Sequence, residues 1–99
     1  MNIIFKVVDK TGRKIHLSEE RWSHITSPQN LHPYMTNYLE EVKETLRNPQ
    51  LILQHENRET VDYYYYLKER KQYLLVAVKY LNGNGFITTA FITRNIKRK

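Results

Sequence analysis

At Asn48-Pro49 the hydrophobic period of this chain changes from about 3.6 to 2, and that switch limits what it can fold into. Before it, Met35, Leu39, Val42 and Leu46 recur at helical spacing, while Glu40, Glu41, Lys43 and Glu44 take the opposite face. After it, Gln50 to Gln54, Thr60 to Leu67 with its four consecutive tyrosines, Tyr73 to Leu81 and Phe86 to Thr93 read as strands. Asn82-Gly83-Asn84-Gly85 between the last two is a hairpin signal. Helical segments followed by sequential strands predict an α+β domain with helices on one face of its sheet.

The first residues add a second hairpin. Ile3 to Val8 is β-branched and ends at Asp9-Lys10-Thr11-Gly12, a turn, after which Arg13 to Leu17 returns. Ser18 offers an N-cap oxygen, and Glu19 and Glu20 fall in the first turn of a helix running to Thr26. Ser27, Pro28 and Asn30 break it, His32-Pro33 opens a second helix over Tyr34 to Arg47, and Asn48-Pro49 ends that one. The expected fold is therefore α+β, an N-terminal β-hairpin and two helices packed on a four-stranded antiparallel β-sheet. Residues 1–99 form one domain, with 95–99 a frayed basic tail.

Composition narrows the function classes. The absence of cysteine excludes a disulfide scaffold, a thiol nucleophile and thiolate metal sites. The apolar start is too short for a signal peptide and the longest apolar run is strand-sized, so a soluble cytoplasmic protein with no membrane partner is expected. The net charge is +6. Residues 1–60 balance eight basic against eight acidic side chains, so the whole excess lies from residue 61 onward. Such asymmetry favours a polyanion, nucleic acid before membrane; the bland alternative is solubility and a ragged basic tail.

His16, His24, His32 and His55 show no metal-ligand spacing, so no metal or cofactor is expected. On the first helix Arg21, His24 and Ile25 share a face, and a buried Trp22 would hold the His24 imidazole in a fixed orientation suited to acid/base work. The alternative is a half-buried histidine pairing with Glu20. Lys79, mid-strand, is costly unless it meets solvent or an anion. The hairpin brings Thr88-Thr89 near it, and an ammonium with a hydroxyl can grip a phosphate; ordinary β-propensity and a snorkelling lysine explain the same residues. Tyr63 to Tyr66, interleaved with Lys68, Arg70 and Lys71, resemble the stacking and charge-neutralising sets of single-stranded RNA binders, although half of the rings must be core.

In order, Glu20-Arg21-Trp22-Ser23-His24-Ile25, His32-Pro33-Tyr34-Met35, Tyr38-Leu39 through Thr45-Leu46-Arg47-Asn48-Pro49, Tyr64-Tyr65, Leu75-Val76-Ala77-Val78-Lys79 and Gly85-Phe86-Ile87-Thr88-Thr89-Ala90-Phe91 resemble a phage- and bacterium-associated family of BECR-like nucleases, the superfamily named for barnase, EndoU, colicin-type nucleases and RelE. The segments span about residues 14 to 96. The resemblance implies metal-independent RNA cleavage by 2′-hydroxyl attack, and the leading expectation is a small ribonuclease of the toxin type. It assigns acid/base work to His24, charge stabilisation to Lys79 or Arg70, and phosphate holding to Thr89. It gives His32 a supporting role; Arg21 is a further expected support, and Arg70, Lys68, Lys71, Tyr64 and Tyr66 are the RNA contacts expected from the aromatic and basic run. One departure is Tyr34, where the family pattern is expected to have Glu. The implied partners are RNA and an acidic antitoxin or immunity protein. A non-catalytic RNA-binding module and an antitoxin-binding interaction domain are the alternatives.

Overall fold

A computed structural model of the chain describes residues 2–27, 33–55, 58–69, 72–81 and 84–94, with the backbone alone at 55, 58–60, 67–69 and 81. Ile3–Val8 (β1) and Lys14–Ser18 (β2) form the opening hairpin. Its turn is built around Asp9, whose Oδ1 accepts from the Thr11 amide at 3.0 Å, the Thr11 hydroxyl at 2.8 Å and the Arg13 amide at 2.9 Å. Gly12 sits there at a φ of 89°, which a side chain would strain. Ser18 ends β2 and caps Glu19–Thr26 (α1), its Oγ accepting from the Arg21 amide at 3.1 Å.

The second helix is not continuous. Pro33–Tyr38 forms a 3-10 helix, and only Leu39–Arg47 (α2) is α-helical. The Thr36 hydroxyl donates to the Pro33 carbonyl at 3.0 Å, a local side-chain bond of the kind that competes with the regular helical ladder. Four strands follow: Leu51–His55 (β3), Arg58–Glu69 (β4), Gln72–Leu81 (β5) and Asn84–Thr93 (β6).

The sheet corrects the expected fold. It has six strands in the order β1-β2-β6-β5-β4-β3, and it is mixed, whereas a four-stranded antiparallel sheet is expected from the sequence. β3 to β6 pair antiparallel in succession. The hairpin joins them because β2 runs parallel to β6, with Lys14 opposite Asn84, Ile15 opposite Gly85 and His16 opposite Phe86. A lone hairpin is marginally stable in water, and its apolar residues Phe5, Val7, Ile15 and Leu17 need a cover. Extending the sheet places them under the same helices and pairs part of an exposed β6 edge.

One face of the sheet carries the helices. There Ile25, Met35, Val42 and Leu46 pack on Phe5, Val7, Ile15, Leu17, Leu74, Val76, Val78 and Ile87. On the other face Tyr65, Leu75 and Ala77 are buried among Leu51, Leu53, Tyr63, Tyr73 and Phe91, all of them strand residues. This second surface is the helix-free face. Among the described residues no helix is long and apolar enough to cross a membrane.

Candidate functional site

Strand alternation sorts side chains between the two faces. Val78 and Tyr80 enter the helix-side core, so Lys79 between them belongs to the helix-free face. The same holds for His16 between Ile15 and Leu17, Lys6 between Phe5 and Val7, Phe86 beside Ile87, and Thr89 beside Ala90. Register then lines several of them up across four strands: Lys6 stands opposite His16, His16 opposite Phe86, and Phe86 opposite Lys79. Neighbouring strands lie about 4.8 Å apart, so His16 and Lys79 are roughly 10 Å apart at the backbone, within joint reach of one phosphodiester. The Phe86 ring lies between them, 6.1 Å from the His16 ring. Thr89 faces Ala77 in the next row, and the register shifts at this point because Ala77 pairs Thr89 while Val78 pairs Ile87. The intervening Thr88 donates its hydroxyl to the Ala77 carbonyl at 3.3 Å. Bulges of this kind re-aim side chains beside binding sites.

Two cavities share His16 as a wall. One of about 330 Å³ is lined by His16, Ser18, Glu20, Arg21, Phe86 and Ile87. The other, of about 470 Å³, is lined by Ile3, Lys6, Lys14, Ile15, His16 and Asn84. Arg21 reaches the first because the Ser18 cap starts α1 directly at the end of β2. Among the described strand side chains no Asp or Glu lies on the helix-free face; Asp62 shares the helix side with Tyr64, and Glu20 of α1 is the acid at the rim. The face therefore presents an imidazole, hydroxyls and a set of cations to whatever lies on it.

The residues singled out from the sequence are distributed unevenly. Lys79 and Thr89 share the helix-free face, and Arg21 joins the His16 cavity. His24 is exposed on α1, one turn beyond Arg21, on a helix that packs through Trp22 and Ile25 against the opposite side of the sheet. It is not among the residues that line the His16 cavity. Tyr64, expected to bind RNA, is fully buried in the helix-side core and offers no stacking surface. Tyr66 shares its side of the strand and packs half-buried on that core. The physical reason is parity: in Tyr63 to Tyr66 the even positions face the helices, and the odd ones the helix-free face. His32, Arg70 and Lys71, and the side chain of Lys68, lie outside the described residues. Tyr34, the departure from the expected Glu, accepts a hydrogen bond from the Ile92 amide at 3.2 Å and so ties the 3-10 helix to β6.

His16 is the residue that sequence reasoning passed over. Its signal lay in Lys14-Ile15-His16-Leu17, where alternation around two buried aliphatics points Lys14 and His16 to one face.

A second polar group occupies the helix side. The Tyr64 hydroxyl donates to Asp9 Oδ2 and shares a hydrogen bond with the Tyr80 hydroxyl, which is itself 3.3 Å from the same carboxylate oxygen. Arg13 lies over the Tyr80 ring at 4.1 Å and 3.8 Å from the Asp62 carboxylate. Burial opposes the Asp9 charge, yet bonds from Tyr64, Arg13 and Thr11 outweigh it and hold the carboxyl below its ordinary value. Burial pushes Tyr64 upward, reinforced by Asp9, and pushes Tyr80 up to about 12. Burial also raises Asp62, against the pull of Arg13. These groups satisfy one another and lock the first turn to β4 and β5; their chemistry is structural.

Among the described residues no three His, Asp or Glu side chains gather to hold a metal ion. Comparison with curated proteins and with solved structures finds no match. The model of the family PBECR2, described as phage-Barnase-EndoU-ColicinE5/D-RelE like nuclease2, matches residues 5–99, a span that takes in every strand and helix above except the first two residues of β1. The chain therefore belongs to this family of phage-associated, BECR-like nucleases.

Proposed function

We propose that the chain is an endoribonuclease that cleaves RNA at the row formed by His16, Phe86 and Lys79, without a metal ion. The observation that carries this reading is the cross-strand line Lys6–His16–Phe86–Lys79 on a face with no described strand carboxylate. A neutral His16 imidazole takes the proton from a 2′-hydroxyl, whose oxygen then bonds to the adjacent phosphorus. The bond from phosphorus to the 5′-oxygen breaks, and the leaving oxygen takes a proton from the Lys79 ammonium. Lys79, Arg21 and the Thr89 hydroxyl hold the extra negative charge of the phosphorane. The products are a 2′,3′-cyclic phosphate and a free 5′-hydroxyl. Phe86 sets the spacing between base and acid and excludes water from the floor of the site.

The test is cleavage of a single-stranded RNA oligonucleotide in EDTA by the wild type, His16→Ala, His24→Ala and Lys79→Ala. Loss of acid/base catalysis predicts a fall of about 10²-fold or more in kcat for His16→Ala, with His24→Ala near wild type. The reverse pattern moves the site onto α1. Cleavage of the matching DNA, which has no 2′-hydroxyl, would overturn the mechanism. A toxin role follows if expression arrests growth and an acidic partner protein, laid over the same cationic face, relieves it.

A further inference from the structure

We propose that the enzyme selects single-stranded RNA by stacking its bases on an aromatic platform made by Tyr63, Tyr73 and Phe91, which continues the cationic row along the helix-free face. The proposal rests on the ribonuclease reading for the chemistry at His16 and extends it to the substrate's conformation.

The platform and the row belong to the same strands. From Lys79 on β5, each step of two residues on the same face advances about 7 Å. The first step reaches Ala77, flanked by Thr89 and Tyr63; the second reaches Leu75, flanked by Phe91 and Tyr65; the third reaches Tyr73, opposite Thr93. Tyr65 is fully buried and meets the Tyr73 ring edge-on at 6.5 Å, so the ring that faces outward rests on one held firmly below. Tyr63, Tyr73 and Phe91 are each half-buried, anchored on one side and accessible on the other.

Charge decides the occupant. The described side chains of this aromatic half carry no charge, while the adjoining half carries Lys6, Lys14 and Lys79, with Arg21 at its rim. A polynucleotide has this same division between anionic phosphates and flat, neutral bases, so phosphate seated at His16 and Lys79 sends the neighbouring bases toward the tyrosines. An A-form duplex keeps its bases stacked on one another and presents phosphates, 2′-hydroxyls and base edges but not base faces, so an aromatic platform serves unpaired bases. A sheet of this kind stacks two or three of them.

The experiment measures affinity separately from cleavage. A fluorescently labelled hexamer of 2′-O-methyl RNA, which lacks the attacking hydroxyl, and the same sequence as a duplex are titrated with wild type, the pair Tyr63→Leu/Tyr73→Leu, and the pair Tyr63→Phe/Tyr73→Phe. Cleavage of a dinucleotide with one phosphodiester is followed alongside. The expected result is tighter binding of the single strand than of the duplex, a rise of about tenfold or more in Kd for the Leu pair, and retention by the Phe pair. Equal affinity for duplex and single strand, or an unchanged Kd in the Leu pair, overturns the platform; the latter is also the outcome if the aromatic face docks a protein. Phe91→Leu repeats the comparison at an independent position should the Leu pair melt early. Absence of dinucleotide cleavage by the wild type counts against the ribonuclease reading, while the hexamer titration still decides the platform.

Discussion

At the scale of single residues, position along a strand outweighs residue type. Tyr63 and Tyr64 are chemically identical neighbours, yet one borders the helix-free face and the other is sealed against Asp9. Tyr64→Phe removes a donor from a nearly buried carboxylate and is expected to cost about 1–3 kcal/mol in urea unfolding. The pH dependence carries the same signature. The Asp9 pKa is lower folded than its ordinary 3.8, so its contribution is present above that value and lost as pH falls through the folded one. Weakening its hydrogen bonds raises the folded pKa toward the unfolded one, so Tyr64→Phe flattens the loss of stability with acid relative to the wild type. At the alkaline end Tyr80, raised to about 12, stabilises fully below its ordinary 10.0, and that contribution is lost as pH rises through the folded value. Circular dichroism across both windows, with either slope of the wrong sign, would count against this account of the cluster.

At the scale of elements, the parallel contact between β2 and β6 does the most to build the proposed site, because it sets His16 beside Phe86. Gly85 makes the neighbouring approach possible. A Cβ there would stand 3.0 Å from the Tyr80 ring and 3.0 Å from a Val78 methyl, and the Tyr80 ring cannot move freely while Arg13 and Tyr64 hold it. Gly85→Ala is expected to destabilise by about 1–3 kcal/mol through overcrowding. A melting temperature within a degree of wild type would show that β5 and β6 yield more easily than this packing implies. The 3-10 helix belongs to this scale too. Tyr34, read from the sequence as a departure from the Glu expected in the family pattern, accepts a hydrogen bond from the β6 backbone.

At the scale of the molecule, the sheet divides the work. Its helix side holds the main core and the buried polar cluster; its other side carries Lys6, Lys14 and Lys79. On the proposed function, RNA held by Lys6, Lys14, Arg21 and Lys79 displaces counterions, so log K against log salt is expected to fall with a slope of roughly −2 to −3, at about −0.7 per phosphate contact on a single strand. Lys79→Gln should flatten that slope by about 0.7, whereas a substitution at exposed Arg47 on α2 should leave it alone. A slope near zero would remove phosphate contact from the role of this face.

Much of the local structure is legible in the residues themselves. The Ser18 cap, the α1 span, the period change at Asn48-Pro49 and the last four strands all follow from chemistry that acts over a few positions. The resemblance to BECR-like nucleases was also legible, since it depends on the order of short segments and the family match covers them. Alternation placed Lys79 on the strand face away from Val78 and Tyr80, and the same pattern around Ile15 and Leu17 held the signal for His16 that went unread. What alternation cannot say is which face of one strand adjoins which face of another. Residues 14–16 and 84–86 become neighbours through a parallel pairing across nearly seventy intervening positions, and nothing local in either segment names its partner. That pairing put His16, rather than His24, in line with Lys79, because the cover required by Phe5, Val7, Ile15 and Leu17 lies under the helices, a demand only the whole fold can meet.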